Sequence, residues 1–572
     1  MSILQAATTF TPPPPGLTVP EVVLDDEFDH PTKLPRNDGV PCLIDDLYGR
    51  KVFLQDLRLS TNSMAKAFKK RWNIGNEETV GIVSPNHIDY VACVWAAQRL
   101  GALVALMSPA LTETELGHQL KIAEPSLLIA HPTSLNTVIN AAKKYGLALD
   151  RIVVLDASTK TNGNYLTTGM LVEEGSGLPG ITFYSAGYFE VQASDKIAFL
   201  CFSSGTTGLP KAVAISHRNV ICSMLQIATY NRLQSGATPR YKPGDVCTGF
   251  LPFYHIYGLM FNLHFMIYSQ VTTIVTDRFD FLKFLKNVEQ YRITHLAIVP
   301  PQAILLCKHP AAKVADLSSV RSCLLGAAPT SAEIIEQLLN RLPGIDLGQG
   351  YGMSETTGAV SKWPIWQKVG VFGSSGRLVP GTFAKVVKPD GTLAKIGEEG
   401  ELYVKGMQIC MGYYKNEQAT RELFDDGWLK TGDVVRFDED GELFILDRIK
   451  EFIKVRGFQV APAELEGHLL AHPSIADAGV VGIPDEYSGE LPLAFIVLQP
   501  TALEKARNDT NASAALKDEI FKYVADAKSR YKRLSGGIVF TDALPKSPSG
   551  KLLRRVLREQ AAQLKRPAVA KL

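Results

Sequence analysis

The sequence predicts an α/β protein, with a large N-terminal domain of two layered α/β subdomains plus a β-rich subdomain, and a small α+β domain at the C-terminal end. Three observations predict it. Short apolar runs alternate with helical patterns over most of the chain, glycine-rich turns between short strands take over after about residue 365, and a compact mixture of helix and strand begins near residue 450. Apolar runs separated by helices are the pattern of mostly parallel sheets in layered α/β folds.

Taken in order, "MSILQAATTFTPPPPG" lacks a basic n-region and a long apolar core, so it reads as a loose proline-rich lead-in and not as a signal peptide. Residues 79–109, "TVGIVSPNHIDYVACVWAAQRLGALVALMSP", give strand, helix and strand, and "PSLLIAHP", "RIVVLDAS" and "HLAIVPP" continue the strand series. "IAFLCF" (197–202) is a short buried strand. "AVAISHRNV" (212–220) is a second strand that leads into a helix, so the residues between form a strand-to-strand loop. The most apolar stretch, 250–275, is interrupted by Pro252, His255, Asn262, His264 and Gln270, which argues for buried core and against a membrane span. Turns such as "GSSGRLVPG" and "KPDGTLAKIGEEGELYVKG" mark the β-rich part. Beyond residue 450, "AELEGHLLAH" and "KDEIFKYVADAKS" read as helices, and "IADAGVVGI" and "LAFIVL" as strands. The division is therefore 1–449 for the N-terminal domain and 450–572 for the C-terminal one.

At 572 residues the chain exceeds what one core accommodates. Its 46% hydrophobic and 21% charged content with net charge +2 leave no basic surplus for nucleic acid or an anionic membrane as main partner, which favours small-molecule chemistry. The eight cysteines are scattered, with no C-x-x-C pair, so neither zinc nor a disulfide framework is indicated and a reducing compartment is expected.

The chemistry starts at "SSGTTGLPK", residues 203–211. Glycines admit a ligand close to the backbone, while free N–H groups, hydroxyls and one ammonium suit the oxygens of a polyphosphate. The spacing Gly205-x-x-Gly208-x-x-Lys211, followed by Ala212, is not that of a Walker loop. A flexible linker is the bland alternative.

Five further motifs follow in order: "FLPFYHIYGL", "GQGYGMSETTG", "GWLKTGD", "DRIKEFIKVRGFQVAP" and "PKSPSGKLLRR". With them the chain resembles, over residues 40–560, the adenylate-forming superfamily of acyl-CoA ligases, luciferases and adenylation domains, and is most similar to 4-coumarate-CoA ligases. The resemblance implies a carboxylic acid substrate with ATP, Mg²⁺ and coenzyme A. It also implies two steps: formation of an acyl-adenylate with release of pyrophosphate, then displacement of AMP by the coenzyme A thiol. Both need charge management.

By the resemblance, Ser203, Ser204, Gly205, Thr206, Thr207 and Lys211 wrap the phosphates. Gln349, Gly350 and Tyr351 take the purine side, Ser354 the α-phosphate, Glu355 the Mg²⁺, and Asp433 with Arg448 the ribose hydroxyls. Ala212 and Ser354 depart from the glycine and threonine usual in the family. Lys551 takes the place of the adenylation lysine, set on a Gly/Ser/Pro loop and followed by Arg554, Arg555 and Arg558, a run that alone reads as a solvated helix face. Lys450 takes the hinge about which the C-terminal domain rotates, so that domain is expected to be mobile. Lys454 and Gln459 match further catalytic positions, Arg456 and Gly457 the segment facing coenzyme A, and Arg278 a basic position for its phosphates. His255, by itself a core histidine, matches an aromatic gate between ATP and thiol access.

For the acyl pocket, a helix after His255 would place Tyr257 and Phe261 on one face, opposite the open backbone of Gly326, Gly350 and Gly358. Phe261 stands where several look-alikes have a small residue, which implies a short pocket for a compact aryl or medium-length acid. A luciferase-like oxygenase, a stand-alone adenylation enzyme that loads a carrier, and an inactive scaffold are the competing functions. The final Ala570, Lys571 and Leu572 resemble a peroxisomal address, so recognition by an import receptor and a peroxisomal location are expected, with the cytoplasm as the alternative.

Overall fold

The computed structural model describes residues 3–25, 28–156, 163–184, 196–203, 210–231, 239–330, 332–448, 451–456, 458–485, 488–547 and 550–564, apart from the side chain of Gln459. Among these residues the strands form four sheets.

The first sheet is mainly parallel. Thr79–Val83 and Leu103–Met107 lie side by side at its centre, buried throughout, with Leu127–Ala130 and Ile152–Val154 on one flank and Ile197–Ser203 on the other. Strands this uniformly apolar have to be covered on both faces, as parallel sheets are. Lys211–Ser216 then runs antiparallel to Ile197–Ser203, and Gly412–Tyr413 returns from two hundred residues away to pair with it. The second sheet carries Leu43–Asp45, Thr272–Val275, Val246–Gly249, His295–Ile298, Ser322–Leu325 and Asp346–Met353 in parallel, and Gly358–Lys362 turns back antiparallel.

Two helical segments complete the large core beside these sheets. His217–Tyr230, capped by the Ser216 hydroxyl accepting from the Asn219 N–H, is buried along nearly all its length. Gly258–Phe265 is a π-helix with every residue buried, and such wide turns recur at functional sites. The apolar stretch 250–275 is therefore core, and no helix of the described residues is long and apolar enough to cross a membrane.

The β-rich part is an antiparallel sheet in which Trp428–Phe437 pairs with both Gly400–Lys405 and Leu443–Arg448. One departure from expectation lies here: the proline-rich lead-in contributes Leu4–Gln5 as an edge strand against Phe383–Val387, so these two residues are tied down by ladder pairing. The last sheet packs Ile453–Val455, Ile475–Asp485, Gly489–Leu498 and Gly537–Phe540 against the helices Pro462–Leu470 and Thr510–Ala527 around its own core. The expected boundary at 449/450, with Lys450, falls outside the described residues.

The C-terminal sheet is joined to the large part by polar and close contacts. Lys308 Nζ donates to the carbonyls of Leu470 and Ile475, at 3.1 and 3.0 Å. Gly550, at φ 80°, lies so close to Val299 that an added Cβ would meet its Cγ2 at 2.8 Å. Only glycine suits both that backbone and that approach.

Candidate active site

A broad cleft opens where the carboxyl ends of Ser322–Leu325 and Asp346–Met353 face the C-terminal domain, the end of a parallel sheet at which ligands bind in open α/β folds. The sheet register brings its polar groups together. Trp428–Phe437 and Leu443–Arg448 pair with Asp433 directly opposite Arg448, and Arg448 Nε meets Asp433 Oδ1 at 3.0 Å. The other oxygen of this buried carboxylate accepts from the Tyr351 hydroxyl at 2.5 Å. Gln349, also buried, holds the neighbouring loop through Thr330: its Oε1 accepts from the Thr330 N–H at 2.9 Å.

Lys551 reaches the same cleft from the C-terminal domain. Its loop is closed by the Lys551 N–H donating to Ser547 Oγ and the Ser547 N–H donating to the Lys551 carbonyl. Burial pulls the Lys551 ammonium below its ordinary pKa, and Arg448 adds to the shift while Glu451 and Asp433 oppose it. In the wall of the adjoining apolar cavity, burial and then the Lys551 charge push His255 down to about 4. Its Nδ1 accepts from the Tyr257 N–H at 3.3 Å, so the imidazole is neutral at ordinary pH.

A second polar group surrounds Glu355, buried on the short turn Ser354–Thr356. Glu355 Oε1 accepts from Ser203 Oγ at 3.2 Å and from the Tyr413 hydroxyl at 2.9 Å. Lys211 Nζ lies 4.9 Å from the centre of the Tyr413 ring. Both ends of the Ser203–Lys211 connection thus face one carboxylate and one ring. Ser204, Gly205, Thr206 and Thr207 lie outside the described residues, as do Gly457, the Gln459 side chain and Ala570 to Leu572.

The remaining predicted residues divide. Tyr257, Phe261, Gly326, Gly350 and Gly358 all line one largely apolar cavity, with about 730 Å³ of empty space including its mouth, within the range of small-molecule sites. The Tyr257 and Phe261 rings stand 5.8 Å apart. Tyr257 lies against Gly326, where an added Cβ would come within 2.9 Å of its ring. The cavity shares Ala327, Gly350, Tyr351 and Gly352 with the broad cleft, so the two communicate. In contrast, Lys454 and Arg456 are exposed on the C-terminal domain, Arg456 with its Nε donating to Ser488 Oγ, and Arg278 is exposed near residues 277–280.

Sequence reasoning missed three features. Tyr413 sits in an unremarkable "MGYYKN" and is placed only by a long-range strand pairing. Arg554 is no solvated helix face: it is half-buried and paired with Glu451 at 2.7 Å and Glu466 at 2.6 Å, beside Asp447. The third is Lys362, which lines the apolar cavity and is buried. Glu451 and Arg554 lie in two motifs about a hundred residues apart, so nothing local signals their pairing, and nothing in the sequence separates Lys362 from a surface lysine.

A family model for AMP-binding enzymes matches residues 35–414, and one for the C-terminal domain of AMP-binding enzymes matches residues 464–551. Among curated proteins, probable 4-coumarate–CoA ligase 1 of Dictyostelium discoideum is 35% identical over 502 residues, covering 85% of this chain and 86% of the relative. Rice (Oryza sativa subsp. japonica) 4-coumarate–CoA ligase 5 is 35% identical over 528 residues, covering 91% and 92%. Among solved structures, anthranilate CoA ligase AuaEII with anthranoyl-AMP superposes with a TM-score of 0.82 at 22% identity, over 96% of this chain and 98% of that one. The o-succinylbenzoate CoA synthetase of Bacillus subtilis, in complex with its acyl-adenylate intermediate, gives 0.72 at 25% identity, over 92% and 96%. With one family model spanning well over half of its length and relatives matched along nearly all of it, the chain belongs to the AMP-binding, adenylate-forming enzymes.

Proposed function

We propose that this protein is an AMP-forming acid–CoA ligase of the 4-coumarate–CoA ligase type. The observation that carries the reading is the convergence, in one cleft that opens into an apolar cavity, of the Asp433–Arg448 pair, the Lys551 ammonium and the mouth residues Gly350 and Tyr351.

In the first half-reaction an oxygen of the acid attacks the α-phosphorus of ATP, a P–O bond forms, and the bond to the β-phosphate breaks to release pyrophosphate. Lys211 and the 203–211 loop hold the phosphates, with Ser354 at the α-phosphate. Asp433 accepts from the ribose hydroxyls, kept in place by Arg448 and the Tyr351 hydroxyl. Lys551 donates to the oxygens on which charge develops, a role its flanking glycine and serine suit. Magnesium, bound with the nucleotide, offsets the charge between the two anions. Glu355 fits it, being a buried carboxylate among hydroxyl oxygens on the Ser203–Lys211 side, since this ion is commonly held by one or two carboxylates plus substrate phosphates.

In the second half-reaction the coenzyme A thiolate attacks the acyl carbon, and the C–O bond to AMP breaks. Lys551 points into the cleft while Lys454 and Arg456 are exposed. Rotation of residues 450–572 about Lys450 exchanges them, bringing Lys454, Gln459, Arg456 and Gly457 toward the adenylate, with Arg278 beside the coenzyme A phosphates and His255 as the gate. Ala570 to Leu572 direct the enzyme to peroxisomes, which a fluorescent fusion with and without these residues tests. The main test is product trapping: with ATP, magnesium and a panel of carboxylic acids, thioester to free coenzyme A is expected. Light emission or acyl transfer to a carrier protein alone would replace the ligase reading with its rivals.

A further inference from the structure

Among the described residues, the wall of the apolar cavity contains a lysine, Lys362, with no carboxylate at ion-pair distance. Lys362 enters from the strand Gly358–Lys362, its stem passing the open backbone of Gly350, and is buried. Its ammonium sits over three rings, 4.5 Å from the centre of Tyr241, 5.0 Å from Trp363 and 5.9 Å from Phe261. Its hydrogen-bond partner is the Tyr241 hydroxyl, at 3.2 Å.

Neighbouring charges are arranged differently. Arg240 stacks on Trp363 at 3.9 Å and is paired with Asp346, and its guanidinium also donates to the Trp363, Pro364 and Gln367 carbonyls. Asp245 is taken by His295 and Arg321, and Glu442 by Arg377. Among the described residues no carboxylate lies within ion-pair distance of Lys362. Burial, with the nearby Arg240 charge, accordingly drives the Lys362 pKa well below its ordinary value. Aromatic faces attract a cation but do not neutralise it. A lone charge in an apolar wall is costly, so burial pushes this amine toward its neutral form and a carboxylate arriving beside it would restore the ammonium.

The position of the ammonium says what could complete it. The cavity meets the nucleotide cleft at Ala327, Gly350, Tyr351 and Gly352, which fixes the end where the reacting carboxyl must lie. Lys362 and Phe261 line the cavity but not the cleft, so the ammonium serves the opposite end of a bound acid.

We infer that this pocket selects acids carrying a second carboxylate at the end remote from the reacting one, α,ω-dicarboxylic or carboxyl-substituted aryl acids, with Lys362 as the counter-ion of that group. The inference rests on the acid–CoA ligase reading and narrows its substrate class. One carboxylate is adenylated and the other stays ionised against Lys362. Because a site built around a buried polar group leaves that group unpaired when an analogue lacks its partner, discrimination is large.

The test is kcat/KM for thioester formation on matched pairs: adipic against hexanoic acid, and 4-carboxycinnamic against 4-methylcinnamic acid, with 4-hydroxycinnamic acid as the phenolic arm. Wild type should prefer the carboxylated member by about 10²-fold or more. Lys362→Met should reverse that preference through KM for the acid, leave KM for ATP in place, and melt no lower than wild type. A wild-type preference for the methyl-ended or phenolic acid overturns the inference while the ligase reading stands, and so does a Lys362→Met enzyme slowed equally on every acid with a lowered Tm. Should the variant not fold, the wild-type ratio decides alone. Thioester from none of the acids would sink the ligase reading and this inference with it.

Discussion

The nucleotide cleft and the acyl cavity meet at Gly350 and Tyr351, yet they treat charge in opposite ways. On the cleft side Asp433 has Arg448 and the Tyr351 hydroxyl, Glu355 has two hydroxyls, and Arg554 has two carboxylates. On the cavity side Lys362 has rings and one phenol. A cleft whose charges are matched in advance suits a ligand that is the same in every turnover, because preorganised dipoles need no rearrangement at the moment of reaction. A charge left unmatched makes sense where the substrate supplies the missing half. On the inference drawn above, the same fold would use paired charge for chemistry and unpaired charge for selection.

The comparison breaks most readily at Lys551, whose removal is the largest effect expected. Lys551→Ala should lower adenylation by about 10²–10⁴-fold, the usual range for a proton- or charge-handling side chain. Conversion of a supplied acyl-adenylate to thioester should stay near wild type, because Lys551 belongs to the cleft arrangement in which Lys454 is exposed. Pyrophosphate exchange and thioester formation, measured separately, check it. Equal loss of both would mean that the substitution damages the C-terminal domain as a whole, and the division of labour between its two faces would fall.

How much of this was legible in the sequence follows the same divide. Asp433, Arg448, Glu355 and Lys551 sit in short contiguous motifs, so the resemblance to the family could be carried onto them residue by residue. The helix Pro462–Leu470, the second half of Thr510–Ala527 and central strands such as Thr79–Val83, Ile197–Ser203 and His295–Ile298 were readable from local periodicity, whereas the edge strand Leu4–Gln5 was not. Tyr413 was not, because its role depends on the pairing of Gly412–Tyr413 with Lys211–Ser216 across two hundred residues. Lys362 was not either: its isolation is the absence of a partner, and no sequence pattern encodes an absence. Arg554 read as one of a basic run because its two acids arrive from other elements, Glu451 after the strand Leu443–Arg448 and Glu466 on the helix Pro462–Leu470.

Phe261 sharpens the comparison from the cavity side, with a smaller effect. Its ring is nearly buried, tilted against Phe265 and edge-on to Tyr241, and 5.8 Å from Tyr257. Truncation to alanine should cost about 3–5 kcal/mol of stability if the cavity does not relax. It should also shift the optimum of an acid series toward longer members, since the ring bounds the space that Lys362 faces. Thermal unfolding and kcat/KM across that series separate the two. A lower Tm with an unshifted optimum would make Phe261 core alone.

Besides Lys551, whose ammonium has no carboxylate at ion-pair distance among the described residues, Asp447 is an exception on the paired side, and it gives the smallest effect. It is buried at the edge of the cleft, accepting from the Arg448 and Ala463 N–H groups at 2.7 and 3.4 Å. Burial pushes its carboxyl up to about 7, opposed by Arg554 and assisted by Glu451. A carboxyl whose pKa is higher folded than unfolded binds more protons in the folded state between the two values. Stability therefore falls as pH rises from about 4, its unfolded value, through about 7. Asp447→Asn keeps an acceptor for the Arg448 N–H and removes the charge, so it should gain on wild type as pH rises. The gain should be on the order of 1–3 kcal/mol at pH 8.5 and about half that at pH 5.5, less than the full shift implies because neighbouring groups relax. Unfolding of both proteins at the two pH values measures it. A difference that does not change with pH would mean that Asp447 stays ionised throughout, matched by Arg554, and Asp447 would then join the paired charges of the cleft.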